Sequence, residues 1–140
     1  MLGERLSAQV LADSDQYQGG ESAFRHAMTG PNQFPFQARA AANEFVRDQF
    51  RKAWSATSPD EALREFGIGL HTLQDSTSPS HFPFRVWTGQ ETNWQLINHV
   101  RQEIRDPGQG SALYRATEEA WGWYLRGRLP EGDLFRFGVD

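Results

Sequence analysis

The chain has no cysteine, which excludes disulfides, thiolate nucleophiles and thiolate-bound zinc while saying little about compartment. It has no dense run of lysine or arginine, and its formal net charge is -4. Strong nonspecific binding to nucleic acid needs clustered positive charge to neutralise phosphates, and the sequence does not offer it. No apolar run approaches the roughly 20 residues of a membrane span, and no signal-peptide pattern is visible. A G-x-S-x-G elbow and a glycine-rich phosphate loop with lysine are both missing, so those two catalytic plans fit badly. No segment alternates with the period of a strand, and there is no internal repeat or low-complexity stretch.

The 140 residues suit a single domain with a real core, and a hydrophobic fraction of 38%, with five Trp and ten Phe, can fill it. The pattern is helical throughout, so the expected fold class is all-α: a compact multi-helix domain with a metal site between helices. Leu2 to Ala12 reads as a weakly capped helix and Asp13 to Gly20 as a loop. Glu21 to Thr29 reads as a short helix carrying His26, stopped by Gly30-Pro31. After a turn at Asn32 to Pro35, Gln37 to Trp54 forms a long Ala-rich helix with Ala41, Phe45, Val46, Phe50 and Trp54 as its apolar face. Ser58-Pro59-Asp60-Glu61 combines an N-cap serine, a first-position proline and a capping-box glutamate. The helix it starts runs to about Asp75, with Ala62, Leu63, Phe66, Leu70 and Leu73 as its core stripe. Ser76 to Gly89 is irregular. Thr92 to Arg105 and Ala112 to Leu125 read as further helices, and the Gly-rich tail from Gly127 is ambiguous.

The chemistry concentrates in His71-Thr-Leu-Gln-Asp75-Ser-Thr-Ser-Pro-Ser-His81. His71 and Asp75 are an i, i+4 pair and share one helix face, where they can converge on one ion. The Ser-Pro step breaks the helix and lets His81 return to the site. A second i, i+4 pair is His99 with Glu103. Of the four histidines, three lie in these two elements and the fourth is His26. Without thiolates, zinc takes neutral histidine nitrogens and carboxylate oxygens in a tetrahedral set. The expected metal ligands are therefore His26, His71, Asp75, His81, His99 and Glu103, holding one or two zinc ions. His71, Asp75 and His81 are the candidate catalytic residues, with Asp75 the best placed to bridge. Taken singly, each pair is more often a surface pair or a capped histidine than a ligand set, and it is their combination that points to metal. Phe82, Phe84 and Trp87 read as packing before they read as a substrate platform. Arg25, Arg85 and Arg101 read as solvated surface unless they lie near the metals, where arginine matches phosphate. A serine triad drawn from Ser76, Ser78 or Ser80 with Asp75 and His81 lacks a recognisable elbow.

Leu70 to His81, followed by His99-Val-Arg-Gln-Glu103, resembles the central motif of the superfamily of zinc-dependent phospholipases C and fungal single-strand nucleases. The likeness covers about His26 to Glu103. It implies that His71, Asp75, His81, His99 and Glu103 are ligands in that order, with His26, in Ala23-Phe-Arg-His26-Ala-Met, as the earlier histidine ligand. The upstream aspartate of the family would be Asp13 or Asp15. The family's N-terminal histidine ligand has no counterpart before His26, which implies one or two metals rather than three. Leu70 to Gly89 also looks like C-terminal toxin domains of bacterial Rhs-type polymorphic toxins. That likeness implies a small catalytic domain excised from a larger protein, in keeping with the abrupt Met-Leu-Gly-Glu start, a cognate immunity protein and delivery into a rival cell.

The expected function is metal-dependent phosphodiester hydrolysis, phospholipase C-like, with phospholipid favoured over nucleic acid by the negative charge and abundant aromatics. The alternatives are a metal-dependent nuclease on the same scaffold, a non-enzymatic helical interaction module, and a closed structural zinc site.

Overall fold

A computed structural model describes residues 20–86 and 110–139. Within them the chain is all-helical: a 3-10 helix at Gly20–His26, α1 at Pro35–Ser55, α2 at Pro59–Asp75 and α3 at Ala112–Arg126. The nearest approach to a sheet among the described residues is a single parallel bridge between Thr29 and Val86. None of the described helices is long and apolar enough to cross a membrane. The helices expected over Leu2 to Ala12 and Thr92 to Arg105 lie outside the described residues.

The start of α2 follows from its cap. The Ser58 hydroxyl accepts from the Glu61 amide at 3.2 Å, and Pro59 opens the helix at a position where the N–H it lacks would have had no helical partner. The Glu61 carboxylate reaches one residue further back than a capping box requires, accepting from the Thr57 amide and hydroxyl. α1 begins at Pro35, two residues before the expected Gln37, because Pro35 can occupy the first helical position. There the Gln37 side chain accepts from the Phe34 amide at 2.9 Å. α3 is capped by Ser111 and ends on Gly127, whose φ of 66° suits glycine.

Three residues join α1 to α2, so the two pack as a helical hairpin. The buried face of α1 is Ala38, Ala42, Val46, Gln49, Phe50 and Ala53. It is rotated from the expected stripe, which leaves Ala41 and Phe45 half-buried. Small alanines face inward near the start, in one buried cluster with Leu134, Phe135 and Phe137 of the C-terminal segment. On α2 the stripe Phe66, Leu70 and Leu73 is buried as expected, while Ala62 and Leu63 are half-buried. Gly69 lets the hairpin close, since a Cβ there would lie 3.1 Å from Gln49 Cβ. Phe50 sits among Phe66, Trp54 and Trp123, with ring centroids 5.4–6.4 Å away, and Trp54 Nε1 donates to the Tyr124 carbonyl at 3.0 Å.

The ambiguous tail is an irregular strap across α1. Arg39, Asn43 and Arg47 recur every fourth residue on one face, and each grips it. Arg39 pairs with Asp133 and donates to the Phe135 carbonyl. Asn43 donates to Asp133 and accepts from the Leu134 amide at 2.7 Å. Arg47 donates to the Pro130 and Gly132 carbonyls. Leu134, Phe135 and Phe137 are buried under this ladder. Phe135 meets Phe84 edge-on at 5.2 Å, which ties the strap to the turns that follow α2.

Candidate metal centre

His71 and Asp75 occupy the last turn and a half of α2, and their i, i+4 spacing puts both on the face turned toward the 3-10 helix. The 3-10 helix was expected to be a longer helix reaching Thr29, but it stops at His26. Ala27 has a φ of 51°, a left-handed conformation that breaks the helix, and Thr29 then donates its amide to the Arg85 carbonyl at 2.9 Å. His26 thus sits at a helix end aimed at α2. Its Nδ1 lies 2.9 Å from Asp75 Oδ2 and 3.2 Å from His71 Nε2, and His71 Nε2 lies 3.2 Å from Asp75 Oδ2. The two imidazoles meet edge to face at 5.1 Å. The side chains are 14%, 8% and 12% exposed for His26, His71 and Asp75.

This triangle is hard to satisfy with protons alone. An ionised carboxylate only accepts, so both nitrogens would have to donate to the same oxygen, leaving two N–H groups facing each other across 3.2 Å. A tetrahedral zinc with ligands at about 2.0–2.1 Å places its ligand atoms about 3.3 Å apart, close to the observed edges. The fit is also electrostatic. Asp75 is the last residue of α2, where the helix carbonyls disfavour an anion and favour a cation. Burial pushes the Asp75 carboxyl up, but the charge of His71, the hydrogen bond from His26 and the charges of His81 and His26 outweigh it. The carboxyl is held below its ordinary value and stays ionised. His26 Nε2 is buried without a hydrogen-bond partner.

His81 arrives beside this group. It is 2% exposed, and its Nδ1 donates to the His26 carbonyl. A backbone carbonyl bonded to Nδ1 is the kind of contact that orients a ligating histidine. Among the described residues the close group consists of His26, His71 and Asp75, with His81 within electrostatic reach of Asp75. His99 and Glu103, the expected second pair, lie outside the described residues, as do Asp13, Asp15, Trp87 and Arg101. Of the remaining expectations, Phe84 is buried packing, whereas Phe82 is 46% exposed. Arg85 is exposed, and Arg25 lays its guanidinium over the Phe45 and Phe24 rings, at 5.0 and 5.9 Å from their centroids.

The sequence reading missed Thr72 and Thr29. Both are fully buried; Thr72 donates to the Arg25 carbonyl and Thr29 to the Phe84 carbonyl, each at 2.5 Å. No spacing rule marks a lone threonine as a clamp, so they become legible only once the 3-10 helix is seen against α2. No protein-family model, no curated protein and no solved structure matches this chain.

Proposed function

We propose that this chain is a metal-dependent phosphodiester hydrolase, phospholipase C-like, that uses zinc held by His26, His71 and Asp75. The observation that carries the reading is the triangle of two imidazole nitrogens and one carboxylate oxygen with edges of 2.9, 3.2 and 3.2 Å. Its support in the sequence is the order His71, Asp75, His81, His99, Glu103, which the resemblance to the phospholipase C and nuclease superfamily assigns to ligands. His81 is the next ligand in this reading, and His99 and Glu103 complete the set. Bound zinc supplies Lewis acidity toward a phosphoryl oxygen and the activation of water near neutral pH. Asp75, kept ionised at the end of α2, supplies the negative charge that holds the cation and a fixed acceptor for a proton of an incoming water. His26 and His71 must be deprotonated at the ligating nitrogens, so metal uptake releases protons and strengthens as pH rises.

The nuclease reading has one observation in its favour. Phe34 and Phe36 stack at 5.8 Å with planes 9° apart, and they are 66% and 71% exposed. Exposed aromatic faces are platforms for bases.

The test begins with elemental analysis of the purified protein before and after chelation, on wild type and His71→Ala. Zinc at one or two ions per chain, lost in the variant, supports the metal site. Hydrolysis of short-chain phosphatidylcholine and of single-stranded DNA and RNA is then measured side by side. No stoichiometric zinc even after reconstitution would overturn the proposal and leave a helical interaction module.

A further inference from the structure

His26 does not sit within a regular α-helix, yet its ring must stay within about 3 Å of two groups on α2. Two consecutive carbonyls, those of Arg25 and His26, are each gripped by a buried side chain from a different part of the fold. Thr72 Oγ1 donates to the Arg25 carbonyl at 2.5 Å, and His81 Nδ1 donates to the His26 carbonyl. Thr72 is fully buried and follows His71 directly, so the turn of α2 that presents one candidate ligand also holds the backbone of the other. On the far side Ala27 adopts a φ of 51° and is fully buried. The next two amides are tied down as well, Met28 to the Ala23 carbonyl at 3.0 Å and Thr29 to the Arg85 carbonyl at 2.9 Å. A non-glycine residue in the left-handed region persists only where its surroundings over-determine it. Here the hydroxyl of Thr72 supplies one of these restraints from within α2.

We infer that Thr72 is a positioning residue for His26: its hydroxyl fixes the end of the 3-10 helix so that the His26 ring is already aimed at His71 and Asp75 before any ion arrives. The inference deepens the metal reading, and its two readouts separate failure of one from failure of the other. Thr72→Val keeps the shape and removes the donor. Thr72→Ser keeps the donor and removes a methyl group. Thr72→Ala serves as a second donor-less variant should the valine fold poorly.

The first readout is zinc affinity, measured by competition with a chromophoric chelator at a pH where all variants are folded. Partners that orient a ligand typically change metal affinity about 10- to 100-fold. Loss of that size is expected in Thr72→Val and Thr72→Ala, with affinity restored in Thr72→Ser. A purely structural role would track overall stability and would not be rescued selectively by serine. The second readout needs no metal. Amide hydrogen exchange at Ala27, Met28 and Thr29 in the apo protein should accelerate in the donor-less variants and remain slow in Thr72→Ser. If wild type takes up no zinc, the metal reading falls and exchange alone decides whether Thr72 fixes His26. Exchange and affinity both unchanged in Thr72→Val would overturn the inference.

Discussion

Replacing Asn43 with alanine tests whether the C-terminal strap is held by the polar ladder on α1. Asn43 makes three contacts: Nδ2 to the Arg39 carbonyl at 3.0 Å, Nδ2 to Asp133 Oδ1 at 3.0 Å, and Oδ1 from the Leu134 amide at 2.7 Å. The first lies within the helix and competes with the backbone's own ladder, so its loss costs little. The second reaches a carboxylate that is 44% exposed, where solvent takes over much of the interaction. The third matters most. The Leu134 side chain is fully buried, so its amide would lose its partner where water is scarce, at a cost of about 1–2 kcal/mol. The sum is about 2 kcal/mol for Asn43→Ala, and at about 3 °C per kcal/mol for a chain this size it corresponds to a fall in Tm of about 6 °C. Urea unfolding followed by far-UV circular dichroism measures it, and an unchanged m-value would show that the compactness of the end states is preserved. Leu134→Ala is the companion, because a fully buried leucine should cost about 2–5 kcal/mol. A loss below about 0.5 kcal/mol in Asn43→Ala, with a large loss in Leu134→Ala, would refute the ladder and leave the strap held by its apolar side chains alone.

Gly69→Ala should destabilise by about 1 kcal/mol despite alanine's better helix propensity, because the new methyl group meets Gln49 Cβ at 3.1 Å on a rigid helix; a gain in Tm would refute the close approach. For Asp133, burial raises the carboxyl, but hydrogen bonds from Arg39, Asn43 and the Phe135 amide hold it below its ordinary value of 3.8. A depressed folded value contributes stability that is complete above the unfolded value and lost as pH falls through the folded one. Asp133→Asn should therefore cost stability at pH 7 and progressively less below pH 3.8; a gap that stays constant across denaturation curves at pH 7 and pH 3 would count against it. Zinc at 100 times its Kd should add about 2.7 kcal/mol to unfolding, or about 8 °C in Tm, and His71→Ala should abolish the shift in a thermal melt. An equal shift in that variant would move the ion elsewhere.

Much of the fold was legible because short-range rules governed it. Ser58-Pro59 marked the start of α2, and the stripe of Phe66, Leu70 and Leu73 fixed its inward face. The juxtaposition of His71 and Asp75 follows from a spacing of four residues on one helix. What was not legible depends on contacts distant in sequence. The rotation of the α1 face toward Ala38 and Ala42 answers to a strap some ninety residues away. The end of the 3-10 helix at His26 depends on contacts far along the chain, from Thr72 to the Arg25 carbonyl and from Thr29 to the segment at Arg85 and Val86, which no local pattern in Glu21 to Thr29 announces. The ambiguity of the tail had the same cause. Arg39, Asn43 and Arg47 look like an ordinary solvated helix face until their partners arrive.

The strap also orders events in time. Leu134, Phe135 and Phe137 leave the ribosome after α1, α2 and the turns around His81 have all been made. Until they arrive, the Phe84 ring lacks its edge-on partner Phe135. At about 5–20 residues per second, the roughly fifty residues between Phe84 and Phe135 take several seconds to synthesise. During that interval the turn that carries His81 lacks the ring that Phe84 packs on. A ribosome that stops short of Phe135 would release a chain containing His26, His71, Asp75 and His81 but lacking the backing for the loop that joins them.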